Sequence, residues 1–506
     1  MKITQLKTIG ELRAANYTPL PVKDELRKNL IAKIRNREIL FPQIIGYDDT
    51  VIPSVVNALL AKHDIILLGL RGQAKSRLLR ELPTLLDEYI PYISGCEIND
   101  NPFHPVCKHC VDIVNEFGDE TEISWLQREQ RFNEKLATPD VTIADLIGDI
   151  DPIKAANLRL HYAHEGAIHF GIIPRTNRGI FAINELPDLQ PRIQVGLFNI
   201  MEEKFVQIRG FSIRIPLDVM MVFTANPEDY TNRGNIITPL KDRIDSQIIT
   251  HYPRTIEDSI TITTQEAWIQ RDGKEIVLPH YFKQIIEAIA FEARKSEYVD
   301  QKSGVSARLT ISAMENLISN AERRAILLDE PGIVPRVCDL HNVLPALTGK
   351  IELVFEGEQE GSFKVSKALI GKAVRGVFRT YFPDPLLKKH EKNLPQHLQQ
   401  ELRTTSAPTE YDAIIRWFEK GNHLEIGDDM PTTQYFRLLD KVTGLRDVTK
   451  NYMKLSDSDV ASLSSAMEFV LDGLHQFSKI AKDEVDHRIS YKDMIGSIFV
   501  PGEAED

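Results

Sequence analysis

The sequence predicts an α/β protein in which a parallel sheet flanked by helices is followed by a helical region. Three short apolar runs, at 65–68, 180–183 and 219–225, have the length of buried strands, and each ends in glycine or polar residues. Helical patterns stand between these runs, and this alternation is typical of a parallel sheet. From residue 255 onward, apolar residues recur at helical spacing. The fold class therefore follows from the order of strands and helices.

Length and composition limit the classes of protein that the chain can belong to. A length of 506 residues predicts about three domains, and 42% hydrophobic with 26% charged residues is ordinary for a globular protein. The net charge of -12 argues against a large nucleic-acid surface. The sequence has no 18-residue apolar run and no signal-peptide pattern at its start, and its four cysteines are too few for a disulfide framework. We therefore expect a cytoplasmic protein that does not span a membrane.

Shifts in pattern divide the chain into four expected parts. Residues 1–40 form an N-terminal helical segment, and residues 41–254 form the α/β core with a cysteine-rich insertion at 90–135. Residues 255–382 are helical, and a proline-containing stretch at 383–385 indicates a boundary. The remainder, 383–506, is expected to be a helical C-terminal extension.

The residues at 69–76, Gly-Leu-Arg-Gly-Gln-Ala-Lys-Ser, have the pattern of a phosphate-binding loop with one departure. They lie between the first strand and a helical pattern, as such loops do. Backbone N–H groups at a helix N-terminus would surround a triphosphate, while Lys75 would reach its outer phosphates and Ser76 would hold Mg²⁺. The pattern calls for glycine where Ala74 stands, and the alternative is a glycine-containing turn without a ligand. The expected ATP contacts from this loop are Gly69, Gly72, Gln73, Ala74, Lys75 and Ser76.

A turn upstream of the loop is a candidate wall of the adenine pocket. Ile45 and Gly46 follow an apolar stretch and precede a polar cluster, after which a helical pattern begins. On its own this turn fits the ordinary start of a helix better than a ligand site.

Polar residues end the second and third predicted strands, where open α/β sheets place their ligand chemistry. Asn184 stands where nucleoside triphosphatases usually have an aspartate for Mg²⁺, so that it can accept a hydrogen bond but carries no negative charge. Glu185 follows as the expected base for the attacking water. Asn226 ends the third strand, from which it could contact the γ-phosphate or the water, and Arg243 follows near a helix end.

Three of the four cysteines lie within 15 residues, inside the expected insertion. Cys107 and Cys110 have the spacing of a metal-binding knuckle, and Cys96 and His104 could complete a tetrahedral Cys₃His zinc site. Reduced free thiols, a redox pair and an iron–sulfur cluster are alternatives that the spacing leaves open.

Taken in order, these motifs resemble those of AAA+ ATPases, and they are most similar to the magnesium-chelatase I-subunit and MoxR branch. The resemblance covers roughly residues 40–320. Its matching segments are Ile45-Gly46, Gly69 to Ser76, Gly148-x2-Asp151, Thr176-Asn177-Arg178-Gly179, Asn184-Glu185, Asn226-Pro227-Glu228, Leu240-x-Asp242-Arg243 and Val305-Ser306-Ala307-Arg308-Leu309.

The resemblance implies a role for each matching residue. Asn184 and Glu185 would be the Walker B pair, and Asn226 would be sensor 1. Arg243 would be the arginine finger that reaches a neighbouring subunit's nucleotide, and Arg308 would be sensor 2 on a helical lid within 255–382. In isolation, either arginine would be interpreted as a surface ion pair. The resemblance also implies a hairpin over 210–215 and an insertion near 160–173.

Two functions from different classes fit these motifs. The first is an ATP-driven motor that assembles into a ring of its own copies and remodels a partner protein, which in this family often carries a von Willebrand A domain. The second is a scaffold that binds ATP, assembles and hydrolyses it slowly, as Ala74 and Asn184 favour. A correctly spaced base, sensor and finger favour the motor. A DNA helicase fits less well because the chain is acidic.

Overall fold

The computed structural model describes residues 3–157, 165–208, 214–227, 235–271, 273–386, 410–485 and 488–494. The chain divides into two compact units, Met1–Tyr252 and Pro253–Asp506. This division falls close to residue 254, where the sequence places the end of the α/β core.

A five-stranded parallel sheet forms the centre of the first unit and confirms the predicted fold class. Its strands are β1 (Ile65–Leu68), β2 (Phe132–Leu136), β3 (Gly179–Asn184), β4 (Val219–Ala225) and β5 (Ser246–Ile249). Their spatial order is β5-β1-β4-β3-β2, and every neighbouring pair is parallel. Strands β3 and β4 are fully buried, as their continuous apolar sequences require. The carboxyl ends of β1, β3 and β4 therefore meet at one edge.

Strand β2 begins inside the stretch that the sequence assigns to the cysteine-rich insertion at 90–135. It lies at the edge of the sheet, and its side chains are half-buried or exposed. An edge strand with this exposure lacks the continuous apolar run that identifies a buried strand, so the apolar pattern does not reveal it.

Helices and small antiparallel strand pairs surround the sheet in the described part of the first unit. The predicted turn at Gly210 and part of the insertion near Leu160 lie outside the described residues. The antiparallel pairs join Tyr89–Ile93 with Ile123–Gln127, Gly148–Ile150 with Ile168–Phe170, and Phe205–Gln207 with Arg214–Pro216. The α-helices are Ile9–Ala14, Val22–Arg35, Val51–Leu60, Lys75–Glu81, Lys108–Phe117, Ile143–Leu146, Pro152–Asn157, Ile172–Arg175, Pro191–Gly196, Phe198–Met201 and Thr238–Arg243.

Within the first unit, the N-terminal helical segment packs at the amino edge of the sheet. The N–H of Val22, which opens helix Val22–Arg35, donates to Asp218 Oδ2 at 2.8 Å, just before β4. Lys23 pairs with the buried Asp64 at 2.8 Å, just before β1. The segment is therefore tied to the sheet by charged contacts as well as by its apolar face.

The second unit is mainly helical, and its described residues also form a three-stranded sheet and a two-stranded parallel pair that the apolar patterns do not predict. Strands Leu424–Gly427, Arg488–Lys492 and Ala481–Val485 form this antiparallel sheet, and Glu275–Ile276 pairs with Gly332–Ile333. The α-helices are Ile256–Glu266, His280–Ala293, Arg308–Leu327, Leu344–Thr348, Phe355–Glu360, Ser362–Tyr381, Asp412–Glu419, Thr432–Asp440, Leu445–Met453 and Val460–Gln476.

One hydrophobic core crosses the boundary that the sequence predicts at residue 383. Phe378 and Phe382 on one side contact Phe469 on the other, with ring centroids 5.9 and 6.0 Å apart. Helix Val460–Gln476 is buried on every face from Ser462 to Leu474, so that it serves as the centre of this core. The structure thus joins the predicted regions 255–382 and 383–506 into one unit.

Among the described residues, no helix combines the length and apolar character needed to cross a membrane.

Candidate functional site

The predicted phosphate loop connects β1 to helix Lys75–Glu81 and has a tight backbone that depends on small residues. A Cβ on Gly69 would lie 1.9 Å from Thr250 Oγ1 and 2.2 Å from Gln73 Oε1, so only glycine fits there. Gly72 has a φ of +75°. Ala74 has a φ of +54°, in the left-handed region where a side chain costs about 1–2 kcal/mol. Ala74 therefore replaces the glycine of the pattern at a position whose backbone conformation favours glycine.

Two tyrosines that no sequence motif identifies donate hydrogen bonds to the backbone of the phosphate loop. Tyr47 Oη lies 2.8 Å from the carbonyl oxygens of both Gln73 and His251, which share its single proton. Tyr252 Oη donates to the carbonyl of Arg71 at 2.8 Å. Burial raises the pKa of Tyr47 to about 12, so the hydroxyl stays protonated as a donor. These contacts hold the backbone carbonyl groups of Arg71 and Gln73 in place.

We expect Tyr47→Phe to weaken ATP binding by about two- to tenfold, because one buried hydrogen bond to the loop contributes about 0.5–1.5 kcal/mol. Equilibrium titration with a fluorescent ATP analogue measures the change. Tyr92→Phe, on the strand Tyr89–Ile93, is the matched control and should bind the ATP analogue as wild type does. Equal affinity of Tyr47→Phe and wild type for the ATP analogue would contradict the proposal that Tyr47 supports the phosphate loop.

Lys75, Asn226 and Glu185 form one hydrogen-bonded chain at the carboxyl edge of the sheet. Lys75 Nζ donates to Asn226 Oδ1 at 2.6 Å, and to the loop carbonyls of Gly69 and Leu70. Asn226 Nδ2 in turn donates to Glu185 Oε2 at 3.1 Å. The structure thus brings together the predicted phosphate-binding lysine, the predicted sensor and the predicted base, which come from the ends of three strands.

A second chain joins Ser76 to the neighbouring strand. Ser76 Oγ donates to Asn184 Oδ1 at 3.1 Å, and Asn184 Nδ2 donates to Glu134 Oε2 on β2 at 3.1 Å. Arg80 also pairs with Glu134, at 2.6 Å. Hydroxyl and amide oxygens are suitable magnesium ligands, directly or through water, so Ser76 and Asn184 fit the predicted ion. Glu134 is a functional candidate absent from the sequence prediction, since it lies on the unrecognised strand.

The backbone at Glu185 is strained. Its φ is +55°, in the left-handed region, and its N–H donates to Thr224 Oγ1 at 3.1 Å. Non-glycine residues in this region cost about 1–3 kcal/mol and occur most often at functional sites. This strained conformation forms a sharp turn where β3 ends, directly after Asn184.

Other predicted site residues lie outside these two chains. Ile45 and Gly46 are half-buried in the turn that precedes Tyr47. Arg243 pairs with Glu202 at 2.5 Å and covers the ring of Phe198, with its side chain 28% exposed. Arg308 is exposed at the start of helix Arg308–Leu327 in the second unit. Within this chain Arg243 therefore makes the surface ion pair that was its alternative interpretation.

The matching segment at 176–179 lies at the amino edge of the sheet, opposite the phosphate loop. Asn177 Nδ2 donates to the carbonyl of Ile98 at 3.1 Å, and Arg178 Nη1 donates to the carbonyl of Pro91 at 2.7 Å. Both side chains are buried. They join the cysteine-rich insertion to the start of β3, so their contacts here are structural.

The three cysteines of the insertion converge, but His104 does not join them. Ligand atoms of Cys96, Asp100, Cys107 and Cys110 all lie within 4.8 Å of one another, whereas His104 is exposed. Of the expected Cys₃His ligands, the three cysteines therefore lie together, and the fourth residue beside them is Asp100 rather than His104. Hydrogen bonds with Cys107 and Cys110 lower the pKa of the Cys96 thiol.

A phosphate loop, a parallel sheet and polar residues at its carboxyl edge define the nucleoside-triphosphate-binding class of α/β proteins. Sequence comparison adds a similarity to subunits of magnesium chelatase. The chain is 24% identical over 238 residues to the magnesium-chelatase 38 kDa subunit of Rhodobacter capsulatus, across 46% of this chain and 62% of that one. The corresponding subunit of Cereibacter sphaeroides is 28% identical over 204 residues, across 40% of this chain and 55% of its own length.

Two other comparisons differ in coverage or give a low structural score. Archaeal Lon protease of Thermococcus kodakarensis is 29% identical over 170 residues, across 30% of this chain and 25% of the protease. The complex between subunits BchI and BchD of magnesium chelatase aligns at a TM-score of 0.34 and 20% identity, over 63% of this chain and 98% of that one. No protein-family profile matches the chain.

The sequence similarities to the two 38 kDa subunits confirm the predicted resemblance to AAA+ ATPases of the magnesium-chelatase branch. The chain spans less than two thirds of the length of each of these curated relatives.

Proposed function

We propose that the chain binds ATP with Mg²⁺ at the carboxyl edge of the sheet and hydrolyses it. The observation that carries this proposal is the hydrogen-bonded chain from Lys75 through Asn226 to Glu185. It connects the residue that would hold the outer phosphates with the residue that would activate water. A bound γ-phosphate would compete for the hydrogen bonds that Lys75 and Asn226 make with each other and with Glu185. Substrate binding would therefore release the Glu185 carboxylate from its hydrogen bond with Asn226.

The residues present divide the chemistry among themselves. The phosphate loop and Lys75 would bind the triphosphate and offset its charge, while Ser76 and Asn184 would hold the magnesium ion that stabilises charge on the phosphates. Glu185 would orient and deprotonate the attacking water, and its strained backbone fixes the direction of the carboxylate. Asn226 would position that water or the γ-phosphate.

Glu134 would restore part of the negative charge that Asn184 lacks. Its carboxylate is one hydrogen bond from Asn184 and two from Ser76, so its field reaches the expected magnesium position. Arg80 offsets part of this charge, but Arg80 is the more exposed partner, with 61% of its side chain accessible against 31% for Glu134. Solvent therefore screens the arginine more strongly.

Glu134→Gln is expected to raise the Mg²⁺ concentration needed for half-maximal ATP turnover by roughly three- to tenfold, because a charge several ångströms from the ion is removed. Asn184→Asp should change the requirement in the opposite direction. Turnover measured across a magnesium titration gives both values. Glu120→Gln, an exposed change elsewhere in the first unit, is the control, and an unchanged requirement in Glu134→Gln would contradict the role of this carboxylate.

We further propose that copies of the chain assemble into a ring and act on a partner protein. In such a ring Arg243 would leave Glu202 and reach the nucleotide of the adjacent copy, which its partly exposed position at the end of helix Thr238–Arg243 permits. Arg308 would have the sensor 2 role that the resemblance implies. The partner, by kinship with the magnesium-chelatase and MoxR branch, would be a protein with a von Willebrand A domain that receives a metal or cofactor or matures into a complex.

A nucleotide-gated scaffold is the second candidate, because Ala74 and Asn184 both depart from the residues that fast hydrolysis favours. Steady-state ATP turnover, measured beside equilibrium ATP binding on the full chain, separates the two. Magnesium-dependent turnover supports the motor. Tight binding without turnover supports the scaffold, and absence of ATP binding contradicts both.

A further inference from the structure

Four potential metal ligands are buried together in the insertion, outside the nucleotide site. Cys96, Cys107 and Cys110 are nearly inaccessible, and Asp100 is 0% exposed. Their ligand atoms lie within 4.8 Å of one another. Tetrahedral zinc with bonds of about 2.3 Å to sulfur separates its sulfur ligands by roughly 3.8 Å, so only a small contraction would bring these four atoms onto one ion.

The carboxylate of Asp100 has one oxygen fixed and one without a partner. Oδ2 accepts the N–H groups of Val106 and Cys107, each at 2.9 Å, which locks the side chain in place. Oδ1 is buried and has no hydrogen-bond partner among the described residues. A buried carboxylate oxygen that is left unsatisfied is costly unless a cation or a donor occupies its free side. The unpartnered oxygen therefore points to a missing ligand at this cluster.

Backbone amides are arranged to stabilise thiolates. The N–H groups of Ile98 and Asp100 donate to Cys96 Sγ at 3.4 and 3.3 Å, and the N–H of Cys110 donates to Cys107 Sγ at 3.4 Å. Cys107 is also the N-cap of helix Lys108–Phe117, where the helix dipole favours negative charge. Thiolate is the form of cysteine that binds metal.

We propose that Cys96, Asp100, Cys107 and Cys110 bind a structural zinc ion as a Cys₃Asp site. All four protein ligands are buried, which is typical of a closed structural site and leaves no open position for a substrate. An iron–sulfur cluster fits this site less well than zinc, because four cysteines are the usual ligands of such clusters and this site offers three cysteines and a carboxylate.

The bound ion would fix the insertion against the central sheet. The loop at 96–100 carries both the ligands Cys96 and Asp100 and the carbonyl of Ile98, which accepts the side chain of Asn177 at 3.1 Å. Asn177 stands two residues before β3, whose far end holds Asn184 and leads into Glu185. Zinc would thereby set the position of the loop that supports the start of β3, and its removal should lower the thermal stability of the first unit.

The test uses the full chain, stripped of metal with a chelator and titrated with Zn²⁺ alone in competition with a chromophoric chelator. Wild type is expected to bind one zinc ion per chain, and so are His104→Ala and Cys338→Ser, the latter changing the cysteine of the second unit. Cys107→Ser and Asp100→Asn are expected to bind at least tenfold more weakly. Cobalt substitution of the wild type gives a second readout, the thiolate-to-cobalt charge-transfer bands of a tetrahedral site.

Failure of the wild type to bind stoichiometric zinc, or to give the cobalt bands, would overturn the site without reference to any variant. Loss of zinc in His104→Ala, together with full binding in Asp100→Asn, would overturn the assignment of the fourth ligand. Because His104 is exposed, its substitution should leave the fold intact, and the comparison stays decisive even where the Cys107 variant fails to fold.

Discussion

Glu185→Gln should lower the steady-state ATP turnover of the full chain by about 10²- to 10⁴-fold, because a glutamine cannot accept the proton of the attacking water. ATP binding should remain within about threefold of the wild-type value, since a side-chain general base contributes to the chemical step rather than to ground-state binding. Glutamine keeps an oxygen that can accept from Asn226, so the hydrogen-bonded chain to Lys75 survives the change. The variant therefore separates chemistry from binding.

The measurement pairs a coupled assay of ADP release with titration of a fluorescent ATP analogue, under the same magnesium concentration. Glu116→Gln, on the exposed face of helix Lys108–Phe117, makes the same chemical change without contact to the site and should turn over ATP as wild type does. Turnover in Glu185→Gln equal to that of the wild type would remove this residue from the catalytic step. If both proteins bind ATP and neither turns it over, the scaffold rather than the motor describes the chain.

The sequence predicts the sheet's centre and its carboxyl edge well, because both depend on local pattern. Strands β1, β3 and β4 are continuous apolar runs, and parallel strands place their ends together. For this reason the sequence alone leads us to expect Lys75, Asn184 and Asn226 near one another. The fold adds the hydrogen bonds, which join Lys75 to Asn226 and Ser76 to Asn184.

The site residues that no sequence motif identifies contact the site from distant parts of the chain. Tyr47 reaches Gln73 across 26 residues, and Glu134 reaches Asn184 across 50. Neither residue belongs to a spacing pattern, and Glu134 lies on an edge strand whose half-buried side chains conceal it. In the insertion, the sequence predicts His104 as the fourth ligand, whereas the fold places the buried Asp100 beside the cysteines. Distance along the chain does not show which side chains face inward, so these contacts require the fold.

The amino edge of the sheet carries a buried ion pair whose role is structural. Arg131 stands just before β2 and is 1% exposed, and it pairs with Glu25 of helix Val22–Arg35, which is 3% exposed. Its Nη1 and Nη2 donate to the two oxygens of Glu25 at 2.7 and 2.6 Å, while Nε donates to the carbonyl of Arg178 at 2.9 Å. One guanidinium thus joins the N-terminal segment, β2 and the start of β3.

Arg131→Met should lower the free energy of unfolding of the first unit by about 3–5 kcal/mol, because it leaves the Glu25 carboxylate buried without its counter-charge. Urea denaturation, followed by circular dichroism, measures the loss as a shift of the transition midpoint. The double variant Glu25→Met/Arg131→Met should recover part of the loss, since two apolar side chains of similar volume remove the buried charge together.

Arg128→Met tests whether any lost arginine in this turn has the same effect. Arg128 pairs with Glu129 at 2.8 Å, but both side chains are exposed, and such pairs contribute about 0–1 kcal/mol. A loss in Arg131→Met no greater than that in Arg128→Met would show that the ion pair does not hold the N-terminal segment to the sheet. A large loss in Arg131→Met that the double variant partly reverses would identify the unpaired carboxylate as its cause, because the double variant lacks the guanidinium as well.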